Sequence, residues 1–119
     1  MSDRDDGQAT VELALATPLL CVLLLGIVQL TVVVRDQLRV IDLARVAARA
    51  ASVAADPSAA AAGVAGRDPP HGLRMATELD DRTVTVTVSA VTVTDVPLIG
   101  ALLPDVTLTA RSTMPLEPP

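Results

Sequence analysis

The sequence predicts an α+β protein: a long N-terminal helix, transmembrane and then amphipathic, packed against a small antiparallel β-sheet. Three observations predict it. Residues Leu13 to Val34 carry no charge, residues Arg35 to Ala55 hold no Gly or Pro and are rich in Ala, and Thr83 to Thr94 alternate Val with Thr. The chain has 119 residues, half of them apolar, yet no Phe, Trp or Tyr. Aromatic side chains usually supply much of a core's buried area. Without them, and with much of the apolar content in one run, the part outside the membrane has a thin core of Val, Leu, Ile and Ala.

The uncharged run of 22 residues makes about 33 Å of helix, enough to cross a bilayer core. A cleavable secretory signal has a shorter apolar region behind positive charge. Here the leader Met1 to Gly7 holds three Asp and one Arg. Pro18 lacks a backbone donor and is expected to kink or loosen the helix, not to end it. Cys21, the sole cysteine, permits no intramolecular disulfide and reads as a small hydrophobe facing lipid or a neighbouring helix.

Beyond the span, Arg35, Arg39, Asp42, Arg45, Arg49, Ser52 and Asp56 fall on one helical stripe. Val40, Ile41, Leu43, Ala44, Ala47, Ala48, Ala51, Ala54 and Ala55 fall on the other side. Asp42 has Arg39 and Arg45 as i±3 neighbours for weak surface pairs. Asp56-Pro57 is expected to end the helix. Residues 57–72 read as a linker with a short helical turn at Ser58 to Ala62 and breaks at Gly63, Gly66, Pro69, Pro70 and Gly72. His71 stands in it as a solvated residue.

The remaining residues, 73–119, read as a β region. Leu73 to Leu79, Thr83 to Thr94 and Val106 to Thr113 are the expected strands, with Asp80-Asp81-Arg82 as the first turn. Val84, Val86 and Val88 share one parity, Val91 and Val93 the other, so a bulge or bend is expected at Ser89-Ala90. Val96 to Pro104 is apolar and bracketed by prolines. It reads equally as a covering loop or as a surface that touches a partner or the membrane.

Function classes follow by exclusion. The net charge is -5, against the basic face a nucleic-acid binder needs, so no nucleic-acid partner is expected. There is no Ser/His/Asp set, no Cys/His pair in reach and no phosphate loop. The chain is therefore not expected to be an enzyme, with no catalytic residues, no metal and no cofactor.

Glu12 is the unusual residue. At the edge of a span it reads either as a headgroup-level acid reaching water or as an acid drawn into an assembly to meet a positive group. Its surroundings favour the second. Gly7 is followed by Gln8, Ala9, Thr10, Val11, Glu12 and a long apolar helix, which resembles the prepilin processing site of type IV pilins. The stretch GQATVELALATPLL and the later RDQLRVIDLARVAARAA resemble, more closely, the TadE-like minor pilins or pseudopilins of the tight-adherence (Flp-type) pilus system. The resemblance covers roughly residues 7 to 55. One departure is Leu13, where pilin-like proteins often carry an aromatic.

That resemblance implies a pilin-like fold, a leader of residues 1–7, and peptidase cleavage between Gly7 and Gln8. Glu12 then becomes the fifth residue of the mature chain. It implies an anchor over 8–34, an amphipathic extension over 35–56, and a role in pilus biogenesis. The implied partners are the membrane, a prepilin peptidase, other pilin or pseudopilin subunits and the pilus assembly platform. The implied location is the cell membrane, single-pass, with the C-terminal domain on the extracytoplasmic side or carried in a surface pilus. Counting Arg4 against Arg35, Arg39, Arg45 and Arg49, the positive-inside rule would keep that domain in the cytoplasm. The very short leader and the interleaved Asp36 and Asp42 favour the implied orientation. The alternative function is a membrane-anchored accessory protein whose β domain binds a partner without joining a filament.

Overall fold

The computed structural model of the protein describes residues 3–93 and 104–117. A first helix, α1, runs from Asp3 to Val53, and a second, α2, from Pro57 to Gly63. Three strands follow: β1 (Arg74–Leu79), β2 (Thr83–Thr92) and β3 (Val106–Pro115). They form one antiparallel sheet in the order β1-β2-β3. The expected α+β architecture is present. A helix of this length is about 76 Å long, and it accounts for a molecule measuring 84 × 23 × 21 Å.

The first half of α1 stands alone. Leu13, Leu15, Leu19, Leu23, Leu24, Ile27 and Leu30 are all exposed, as is Cys21. An apolar surface of this extent is stable in lipid, not in water. The helix continues through Pro18. The three threonines Thr10, Thr17 and Thr31 donate their hydroxyls to the carbonyls of Asp6, Leu13 and Ile27, at 2.7–2.9 Å. Each hydroxyl is thereby satisfied within its own helix, the arrangement a lipid-facing polar group requires. One of these residues, Thr17, immediately precedes Pro18.

The second half of α1 carries the sheet. Val40, Ala44, Ala47, Ala48 and Ala51 are buried against Val84, Val86, Val88, Ala90 and Leu108. The strands β2 and β3 lie on α1, and α2 packs on both α1 and β1. The small side chains let sheet and helix approach closely, so the core is thin. Each fully buried Val contributes about 1.5 kcal/mol or more from apolar area removed from water.

Three expectations need correction. The strand β2 has no bulge. Its pairing with β1 and β3 is unbroken through Ser89 and Ala90, and the buried set is Val84, Val86, Val88, Ala90 and Thr92. The physical reason lies on both faces. Thr92 turns inward because its hydroxyl finds Asp36 on α1, 3.0 Å away. Val91 turns outward because the 70–73 turn partly covers it: its N–H donates to the His71 carbonyl at 2.8 Å. Gly72, at φ +63°, leaves the space that Val91 fills; a Cβ there would meet Val91 Cγ2 at 3.1 Å.

Ser52 is the second correction. It was placed on the solvated stripe but is buried. Its hydroxyl donates to the Arg49 carbonyl at 2.8 Å, and its own carbonyl accepts from Glu117 N–H at 3.0 Å. The chain returning after β3 covers it, and nothing in a helical wheel reports that. Ala55, expected on the packed face, lies beyond the end of α1 and is exposed.

The turn regions follow local chemistry. Asp56 is the N-cap of α2 and Pro57 its first residue, the position where a missing N–H costs nothing. The short helical turn expected at Ser58 to Ala62 is this seven-residue helix. The β1–β2 turn is closed by Asp80 N–H to the Thr83 carbonyl at 2.9 Å and by Asp81 N–H to Asp80 Oδ1 at 2.9 Å. The strand β3 is two residues longer than expected, ending at Pro115. Of the apolar stretch Val96 to Pro104, all but Pro104 lies outside the described residues, as does Thr94.

Candidate functional site

Gly7, Gln8 and Glu12 all lie on the isolated N-terminal part of α1 and all are exposed. A Cβ added at Gly7 would meet nothing within 4 Å, so packing does not demand the glycine there. Gln8 and Glu12 are four residues apart, one turn and about 6 Å along the axis, on the same face. The Glu12 carboxylate has no hydrogen-bond or ion-pair partner among the described residues. It sits at the boundary between the charged residues Arg4, Asp5 and Asp6 and the bare apolar surface that starts at Leu13.

The polar contacts of the head are structural in character. Arg111 Nη2 and Glu78 Oε2 form an exposed ion pair at 3.0 Å, of the kind worth well under ~1 kcal/mol. The Thr85 and Thr113 hydroxyls meet at 2.9 Å across the outer face of the sheet. Arg39 does not turn to Asp42; its Nη2 donates to the Asp68 carbonyl at 3.0 Å and holds the 64–72 segment to α1. Among the described residues, no group of three or more His, Cys, Asp and Glu is gathered to hold a metal ion.

The Asp36–Thr92 contact was not anticipated, though a signal existed. Asp36 precedes Val40 by four residues and Ala44 by eight, so it shares their sheet-facing side. The parity of Val84 continued without interruption puts Thr92 inside. Asp36 was read only as a charge interleaved with arginines.

Residues 7–49 match the family model of the TadE-like proteins. The TadE-like segment therefore begins at the glycine of the resembled processing motif. It includes Gln8, Glu12 and the whole span, and ends near the last turn of α1. The resemblance drawn from the residues is borne out over this range. The sheet, built from residues 74–115, lies outside it. No curated protein and no solved structure matches the chain. The apolar first half of α1 fits a single-pass membrane anchor: it is long and apolar enough to cross a bilayer and almost none of its most apolar stretch is buried within the protein.

Proposed function

We propose that this protein is a minor pilin or pseudopilin-like subunit that takes part in biogenesis of a tight-adherence pilus. In this reading a prepilin peptidase removes Met1 to Gly7, and the head stands on the extracytoplasmic side. The observation that carries the proposal is the placement of Glu12. It is an exposed acid with no partner among the described residues, one helical turn from Gln8, at the start of a bare apolar helix and inside the TadE-like segment.

The chemistry gives this placement a use. Cleavage after Gly7 creates a cationic amine at Gln8. When apolar helices of adjacent subunits pack together, an unpaired carboxylate at their interface is costly, and an opposite charge from a neighbour relieves the cost. Glu12 of one subunit and the Gln8 amine of the next are suited to that exchange. The scissile bond lies within α1, so a peptidase must unwind it. Gly7 makes this easier, since Gly is about 1 kcal/mol less favourable than Ala inside a helix. The role assigned is structural and assembly-related, with no catalytic residues.

N-terminal sequencing of the membrane-extracted protein is the direct test, and the expected first residue is Gln8. Glu12→Ala is expected to leave membrane insertion intact while reducing co-purification with other pilus subunits. An uncut chain, together with indifference to changes at Gly7, would instead support the membrane-anchored accessory role. Unchanged co-purification would remove the assembly function of Glu12.

A further inference from the structure

The base of the head carries an open cleft that the reading above does not use. Its volume is about 420 Å³, and Asp36, Arg39, Asp68, His71, Thr92 and Val93 are among its walls. Asp36 and Arg39 lie two and five residues past Val34, the last residue of the uncharged run, or about 3 and 7.5 Å further along the helix. The headgroup layer of a bilayer leaflet is about 5–7 Å thick. The cleft therefore opens at the depth where lipid headgroups lie. It depends only on where α1 leaves the membrane, and not on filament assembly or on the orientation of the head.

Its charges are of both signs and are ordered. The Arg39 guanidinium uses one N–H on the Asp68 carbonyl and has others left to take a phosphate, for which its planar fork is suited. The exposed His71 lines the same cleft; among the described residues its backbone carbonyl is engaged, by the Val91 N–H, and its ring has no hydrogen-bond partner. Asp36 accepts from Thr92 through Oδ2, which leaves Oδ1 for a second donor, and Asp68, an exposed residue, also lines the cleft. Asp36 and Arg39 are i, i+3 neighbours on one helical face. Val93, 45% exposed, supplies an apolar margin. A simple anion would meet two carboxylates here, and a simple cation would meet the guanidinium. A ligand with a phosphate and a primary ammonium side by side satisfies both.

We propose that this cleft seats the phosphoethanolamine headgroup of a membrane phospholipid, with phosphate on Arg39 and His71 and ammonium on Asp36 and Asp68. The primary ammonium distinguishes it from choline, whose quaternary nitrogen has no N–H to give a carboxylate. It also distinguishes it from glycerol headgroups, which carry no cation.

The test uses the full chain in nanodiscs of equal phosphatidylethanolamine, phosphatidylcholine and phosphatidylglycerol content, with retained lipid read by native mass spectrometry. One phosphatidylethanolamine per chain is expected, enriched roughly tenfold over the other two, the size of effect one charge-assisted hydrogen bond gives. Arg39→Ala should lower retention of phospholipid and Arg39→Lys should keep part of it, whereas Asp36→Asn, which can still accept from Thr92, should abolish the enrichment. His71→Ala, which leaves the backbone contact in place, should weaken retention with the circular dichroism spectrum unchanged. The last variant keeps the test valid should Arg39→Ala loosen the 64–72 segment. Equal retention of the three lipids, undiminished retention in a folded Arg39→Ala or His71→Ala chain, or undiminished enrichment in a folded Asp36→Asn chain, would overturn the proposal. So would saturation of the detergent-solubilised chain by O-phosphoethanolamine as tightly as by the lipid, which would make a soluble solute the occupant.

Discussion

Asp56 shows how a single side chain divides one helix from the next. Its φ and ψ are extended, at -118° and 94°, and its Oδ1 accepts from Ala59 N–H at 3.1 Å and from the Ser58 hydroxyl at 2.8 Å. The Ala59 bond first, and the Ser58 hydroxyl second, hold its carboxyl below the usual carboxylate range. A folded value below the unfolded one means stability that is present at neutral pH and is lost as pH falls through the folded value. Asn caps nearly as well as Asp but does not titrate. Asp56→Asn is therefore expected to lose less stability than the parent chain between about pH 6 and about pH 2, a window spanning the unfolded Asp value near 3.9. Asp56→Ala is expected to be less stable than the parent at neutral pH. Thermal unfolding of the three chains across that range measures both effects, and parallel pH profiles for the parent and Asp56→Asn would show that the cap does not titrate. The break at Asp56-Pro57 was legible in the sequence, because Pro restricts the residue before it by local chemistry alone; that Asp56 caps the next helix was not read there. The Asp36–Thr92 bond was not, because it joins positions 56 apart in sequence, and only the assembled sheet shows that Thr92 has a partner to turn toward.

At the scale of elements, the decisive contact is the small-residue face of α1 beneath β2 and β3. Ala47 and Ala48 are fully enclosed, so the sheet sits as near the helix axis as methyl groups allow. Ala47→Leu adds three carbons with no void to receive them and should cost about 1–3 kcal/mol. Val46→Leu, one residue away on the exposed side, should change stability by no more than about 0.5 kcal/mol. Denaturant unfolding of the two variants in the same detergent separates them, and equal effects would mean that α1 and the sheet are not packed as described. These faces were legible because helical periodicity at Val40, Ala44, Ala47, Ala48 and Ala51 and strand periodicity at Val84, Val86 and Val88 each mark one buried side. Periodicity misled at Val91 and Val93. It assigns a buried side by hydrophobicity, and it has no means of knowing that a turn at Pro70–Leu73 shelters an outward valine. The same limit applies to Ser52, which is covered by the returning C-terminal segment.

The whole molecule is a rod with its functions at separate levels: the candidate processing and assembly residues at one end, a polar cleft where the helix meets the head, and the sheet beyond. Gln8 lies 25 residues before Val33, the first apolar residue packed against the core, about 38 Å along the helix axis. A Cβ at Gly7 would meet nothing within 4 Å, and the surface between is exposed except at Leu25, which is half-buried, and Gln29, which is buried. Removal of residues 1–7 therefore takes no support from the head. Chains beginning at Met1 and at Gln8, compared in identical nanodiscs, are expected to unfold within about 0.5 kcal/mol of one another. A larger difference would show that the leader folds back on the head or on a partner subunit, which the extended shape opposes. If the two stabilities agree, any effect of the proposed cleavage on assembly does not come from a change in the stability of the head. Cleavage removes three aspartates and one arginine and leaves a new amine one turn from Glu12. Under the proposed processing, the net negative charge of the helix end is removed while the rest of the rod stays as it was, which would lessen repulsion between the ends of neighbouring chains.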